Sequence, residues 1–296
     1  MSFRLFIYYC ALCGGWAAFL VWLLVQATGL SQMSSIYLRA FVIGGLLGGA
    51  VAAAVGFIDS LLSVTGIQRL VRTLVCAGLG FAGGGVGGLV GQVLNDQVGI
   101  PLFVGWMLAG VLIGASIGAY DVLQALSAKQ GLQGTFRKMT NGVLGGLLGG
   151  LIGGLPFTFL ATSSTLSRSG LTISLVILGV CIGLMIGLAQ VILKEAWLKV
   201  EEGFRSGREL LLTREETTIG RAETCDLGLF GDNTIQKVHA RIVQKNNRYF
   251  LSQVGDEGET LLNDEKVGSK PVALRAGDGI RIGKSLLRFG ERQKKK

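Results

Sequence analysis

The chain has 296 residues, half of them hydrophobic, 47 of them glycine, and only 16% charged, with a net charge of +9. Ten Lys/Arg against four Asp/Glu fall in residues 1–200, and eighteen against fifteen in the remainder, so the basic excess (+6 and +3) is not gathered into a cationic surface and nucleic acid is not expected as a partner. A soluble single domain is excluded by the mean hydropathy of +0.54. The five cysteines, Cys10, Cys13, Cys76, Cys181 and Cys225, lack the spacing of a disulfide framework or zinc site, and with a single histidine no metal or cofactor is expected.

Six apolar runs are long enough to cross a bilayer: Leu5–Thr28, Ala40–Leu62, Leu74–Leu94, Leu102–Ala125, Val143–Ala161 and Leu171–Leu193. The first is too long for a signal peptide and more spans follow it, so it reads as a retained helix. Placing the N-terminus inside puts Arg4, Arg69, Arg72, Lys129, Arg137, Lys138, Lys194 and Lys199 on the inner side and only Arg39 and Arg168 on the outer. That asymmetry predicts a multipass protein of the cell (inner or plasma) membrane with both termini cytoplasmic.

The helices repeat. Gly56-Phe-Ile-Asp59-Ser-Leu61 resembles Gly118-Ala-Tyr-Asp121-Val-Leu123 and, more weakly, Gly187-Leu-Ala-Gln190-Val-Ile192. The helices before them align through Cys10–Gly15, Cys76–Gly80 and Asn141–Gly146, giving three tandem helix pairs of one orientation. Glycines four apart, such as Gly145/Gly149/Gly153, Gly146/Gly150/Gly154, Gly80/Gly84/Gly88, Gly110/Gly114/Gly118 and Gly179/Gly183/Gly187, share a helix face in the manner of a glycine zipper. They suit close helix packing, a narrow path, or homo-oligomers assembled through these faces. Asp59 and Asp121, the only carboxylates within the spans, pair with Arg69, Arg72, Arg137 or Lys138 on a structural reading and serve transport on a sharper one. Pro101 and Pro156 read as helix ends.

Residues 195–207 read as an extension of the last helix, with Trp197 at the membrane interface, ended by Gly203 and Ser206-Gly207. Residues 208–291 change to short alternating runs separated by turns, the pattern of a β-sandwich, and residues 292–296 form a basic tail.

Four landmarks in this last part resemble the forkhead-associated (FHA) family: Thr218-Ile-Gly220-Arg221, Cys225-Asp226-Leu227, Val238-His239-Ala240-Arg241-Ile242, and Leu274 through Gly283 with its Gly277-Asp278-Gly279 turn. The resemblance covers nearly the whole module and none of the helical half. It implies an eleven-stranded all-β sandwich that binds phosphothreonine peptides through loops at one end. By the same resemblance Arg221 is the phosphate or peptide ligand, Lys237 adds charge near the phosphate, and Gly220 and His239 support the loops. Gln236 stands where the family usually has serine, with Asn233 and Thr234 as neighbouring substitutes, and Gly258 stands where it often has asparagine. Asp256, Glu257 and Glu259 add negative charge nearby.

The expectation is a six-helix transmembrane domain (1–194), a linker (195–207) and a cytoplasmic FHA sandwich (208–291), non-catalytic, binding a phosphothreonine-containing or unmodified protein partner as a signalling adaptor. The alternative is a channel or transporter regulated by a phosphate-independent FHA domain. No nucleotide loop is present, because the glycines lack the Lys-Ser/Thr of a P-loop.

Overall fold

The computed structural model describes residues 2–63, 67–127, 133–162, 167–203, 206–212, 216–245, 248–255 and 258–292. Six helices come first: α1 (Phe3–Thr28), α2 (Ile36–Ser63), α3 (Ile67–Val98), α4 (Phe103–Ser127), α5 (Gln133–Thr162) and α6 (Ser167–Ile192). All six are long and apolar enough to cross a membrane. Gly29 closes α1 in the left-handed conformation (φ 68°), where a side chain would be strained. Pro156 lies inside α5 rather than at its end, six residues before the helix stops. The expected helix end at the proline is therefore not found; a spanning helix tolerates an internal proline where surrounding groups satisfy the freed carbonyl.

Consecutive helices pack side by side and α6 returns to α1, closing a ring. The glycine rows lie in these seams. A Cβ on Gly44 would stand 2.5 Å from the carbonyl oxygen of Gly84, and one on Gly145 2.6 Å from that of Met185. Gly14 faces Gly179 and Gly183, and Gly110 and Gly114 face Gly146 and Gly142. The rows are thus taken up by contacts within the chain. Along the axis Leu47, Val51, Ile113, Ile117, Leu178 and Ile182 are all buried and fill the centre with hydrocarbon.

At one end this filling gives way to charge. Arg72 lies 2.6 Å from Asp59 and 2.7 Å from Asp121, and Lys138 lies 2.7 Å and 3.1 Å from the same carboxylates. The four side chains, from α2, α3, α4 and α5, are 1–15% exposed. Gln190 of α6, aligned with the two aspartates in the repeat, donates to the carbonyl of Lys138 at 2.9 Å. The expected pairing of the aspartates is present, with Arg72 and Lys138 as partners.

The eleven strands are β1 (Ala196–Glu202), β2 (Glu209–Leu211), β3 (Glu216–Gly220), β4 (Leu227–Gly228), β5 (Ala240–Lys245), β6 (Arg248–Gln253), β7 (Thr260–Leu262), β8 (Glu265–Val267), β9 (Val272–Ala273), β10 (Gly279–Ile282) and β11 (Ser285–Glu291). They form two sheets, ordered β2-β1-β11-β10-β7-β8 and β4-β3-β5-β6-β9, antiparallel except for β3 with β4. Ile219, Ile242, Leu251, Ile280, Leu287 and Phe289 are among the residues that close the core between them.

The described residues between 195 and 207 therefore do not form a helical linker. The helix stops at Ile192, and Ala196, Leu198 and Val200 alternate into the sandwich core as β1. The period here is two, not 3.6, and β1 lies inside its sheet between β2 and β11. The soluble module begins near residue 196 rather than 208, and its last strand ends at Glu291. The hairpin strand β8 also escaped the sequence reading: Asn263 (φ 50°) and Asp264 (φ 69°) make a two-residue turn of the kind that returns a strand at once.

Only Leu193–Glu195 separate α6 from β1. Glu195 pairs with Arg137 of α5, and its carbonyl accepts from Arg292 N at 2.7 Å. Glu209 accepts from the backbone N–H of Phe3 at 2.8 Å. The Lys194 ammonium sits 3.9 Å over the Phe3 ring and 3.8 Å over that of Trp197, which lies across Gly290 in the sheet. Trp197 thus stitches sheet to bundle.

Candidate functional site: the loops at the far end of the sandwich

β1 starts at the bundle and runs away from it, and β11 runs back, so the turn at Gly283-Lys284 lies at the far end. Seven residues of strand place that end about 20 Å from the helices. Asp232 reaches this turn and accepts from Lys284 N at 2.9 Å. The loops after β3, β4 and β6 gather there.

Gly220 ends β3 against the opposite loop. A Cβ on it would fall on the backbone of Lys237 and 2.9 Å from Val238 Cα. Two backbone bonds lock the approach: Arg221 N to Gln236 O at 2.8 Å and Ala222 N to Lys237 O at 2.9 Å. Asp226 fixes the same loop from below, accepting from Thr218 N (2.9 Å) and Thr218 Oγ1 (3.0 Å). Arg221 is consequently held at the surface, where its Nη1 donates to Asn233 Oδ1 at 3.2 Å. Lys237 is exposed on the adjoining turn.

His239 is buried behind these loops. Its Nδ1 accepts from Gln236 N at 3.2 Å, which leaves Nε2 as the donor to Glu259 O at 3.3 Å. This is the neutral imidazole, and burial pushes its pKa below the ordinary 6.5 against the raising effects of Glu259 O and Asp232. The ring ties the loop before β5 to the loop before β7.

The substitutes for the missing serine differ in their engagements. Thr234 donates its hydroxyl to Asp232 at 2.7 Å, and Asn233 uses its oxygen to steady Arg221, leaving its amide. The Gln236 side-chain oxygen points to Gly255, where a Cβ would lie 2.6 Å from it. Glu259 is paired with Lys266 at 2.9 Å, which offsets its charge. Asp256 and Glu257 lie outside the described residues.

Three further residues at this end were not singled out from the sequence. Asp232 organises the loop, accepting from Thr234 N (3.0 Å) and Oγ1 besides Lys284, and these hydrogen bonds hold its carboxyl at about 2. The Asp-x-Thr spacing was the available signal. Gln253, buried, donates to Gly255 O (3.3 Å) and Gly258 O (3.0 Å) and accepts from Thr260 N (3.2 Å), shaping the loop after β6 from beneath. Arg281 lines a groove of about 320 Å³ together with Thr234, Gly258, Glu259, Leu261 and Gly283. Among the described residues no cluster of His, Cys, Asp and Glu is arranged to hold a metal ion.

Comparison with known proteins finds similarity over this module. Residues 217–283 match the family model described as FHA domain. The FHA domain-containing protein FhaB of Mycobacterium tuberculosis, in two strains, is 26% identical over 129 residues, covering 44% of this chain and 77% of the relative. An FHA domain solved from Arabidopsis thaliana is 21% identical, covering 35% of this chain and 90% of its own at a TM-score of 0.31. One from Chlamydia trachomatis is 20% identical, covering 34% and 100% at 0.31.

Proposed function

We propose that the FHA domain of residues 217–283 reads phosphothreonine in a protein partner, and that six membrane-spanning helices hold it at the cytoplasmic face as a non-catalytic signalling adaptor. The observation that carries the reading is the setting of Arg221: an exposed guanidinium, fixed by Asn233 and by the Gly220 turn, with Lys237 beside it. A planar fork of donors next to an ammonium suits a phosphate dianion. The groove lined by Thr234 and Arg281 would carry peptide residues beside the phosphothreonine. The distribution of Lys and Arg among the loops supports a cytoplasmic placement of both termini. The hydrocarbon-filled axis supports an anchoring role over conduction, and the intramolecular use of the glycine rows supports a self-contained glycine-zipper bundle. The far-end position of the loops keeps them clear of the bilayer, within reach of partners such as substrates of serine/threonine kinases.

The test is binding of the full chain in nanodiscs to a phosphothreonine peptide library beside its unphosphorylated twin. Arg221→Ala should weaken the phosphorylated set by about 1.5–3 kcal/mol, a loss of tenfold or more. Equal binding of both libraries, or an indifferent Arg221→Ala, would leave the module a phosphate-independent docking domain. A soluble fragment for the same assay has to include β1, hence start near Lys194.

A further inference from the structure

At the end opposite the sandwich the ring of helices opens into a central well of about 400 Å³, with lining from all six helices. This volume falls in the range of about 300–1,000 Å³ typical of small-molecule sites. Its wall is apolar and glycine-rich, with Trp22, Trp106, Ile43 and Phe157 as the large side chains. Its polarity is graded. Gly44 marks the depth on α2 and Arg39 stands above it toward the mouth, where Gln26, Ser31 and Gln92 also lie. From Gly44 to Ile36, eight residues of helix span about 12 Å.

One donor in this wall has no anionic partner. The guanidinium of Arg39 gives one hydrogen bond to Ser31 O at 3.1 Å and has no carboxylate partner among the described residues. Asp96, the acid at this end, accepts instead from the Tyr37 hydroxyl at 3.0 Å. A cation at the lip of a blind hydrocarbon pocket complements a molecule with one anionic head and one apolar tail. The volume is too small for the two chains of a phospholipid.

From this geometry we infer a binding site for a single-chain carboxylate amphiphile, of the fatty-acid class, with its head at Arg39 and its tail between Trp22 and Trp106. The site is independent of the phosphopeptide reading and shares no residue with it.

The full chain in phosphatidylcholine nanodiscs is titrated with dodecanoate brominated near its methyl end, and tryptophan fluorescence is followed. Saturable quenching is expected, reduced when Trp22 and Trp106 are both replaced by phenylalanine. Arg39→Gln should weaken binding by about tenfold, as loss of a charge-assisted hydrogen bond does. The uncharged dodecanol analogue should bind the native chain as weakly. Ile43→Phe, which narrows the well and leaves Arg39 in place, should weaken saturable quenching while circular dichroism stays native. Linear quenching that is equal in all variants would be bilayer partitioning and would overturn the site; dodecanol binding as tightly as dodecanoate would overturn the role of Arg39.

Discussion

Replacing Asp59 by asparagine removes one of two carboxylates that neutralise Arg72 and Lys138 inside the bundle. Asp59 stands 2.6 Å from one cation and 2.7 Å from the other, with only 4% of its side chain exposed. At an effective dielectric constant near 20, each unit-charge contact at about 4 Å supplies about 4 kcal/mol of attraction before desolvation. The asparagine no longer has to be desolvated as an anion, which offsets part of that. What remains uncompensated is one buried cation shared by Arg72 and Lys138 against Asp121 alone, and a net loss of about 3–5 kcal/mol is expected. The double variant Asp59→Asn with Lys138→Gln restores neutrality and should recover about 2 kcal/mol, a coupling within the range of contacting residues. Denaturation in mixed micelles, followed by helical circular dichroism, reads all three chains. An Asp59→Asn variant within about 0.5 kcal/mol of the native chain, or strictly additive losses in the double variant, would show that these charges are solvated in the membrane and not a closed neutral cluster.

Gly258→Asn installs the residue the family often has, yet it should destabilise the sandwich by about 1–3 kcal/mol and weaken peptide binding, since φ there is +88° and a Cβ would collide with the His239 ring; thermal melting of a fragment from Lys194 onward reads the loss, and improved binding would refute the assigned geometry. His239 has a folded pKa below 6.5, so its contribution to stability is complete above that value and is lost as pH falls through the folded pKa; stability against pH, measured beside His239→Gln, should show this dependence flattened in the variant. Gly145→Leu drives a Cβ to 2.6 Å from Met185 O and 2.7 Å from Ile186 Cα, so α5 and α6 have to separate at a cost of about 1–3 kcal/mol or more, whereas Gly78→Leu, with nothing within 4 Å, should melt like the native chain.

How far the residues spoke for themselves varied with the physics behind each. The helices were legible because an apolar run of bilayer length has few other outcomes, and the sandwich because short alternating runs and the turns between them agreed. β1 was hidden by its neighbour: charged residues just past a long helix read as its solvated end, and only the partner strand β11, some ninety residues away, reveals Ala196, Leu198 and Val200 as a buried row. The loop site divided along the same line. Arg221 and His239 sit in local motifs that survive as sequence. Gln253 and Asp232 act by capping backbone groups in loops brought to them by the fold, and capping leaves a signature only when donor and acceptor are close in the chain, as for Asp232 with Thr234 but not with Lys284.

The weakness of the third repeat has an electrostatic reason. Asp59, Asp121 and Gln190 occupy the same place in successive helix pairs and converge on one layer, where Arg72 and Lys138 supply two positive charges. Two aspartates make that layer neutral. A third carboxylate at 190 would leave it at −1 among buried side chains, a state several kcal/mol above the neutral one. Glutamine keeps the length and polarity of the position without the charge, and its amide satisfies the Lys138 carbonyl. The repeat is therefore degenerate where electrical balance requires it. The layer so neutralised lies directly beneath Arg137 and Glu195, the pair that seats the sandwich on the bundle.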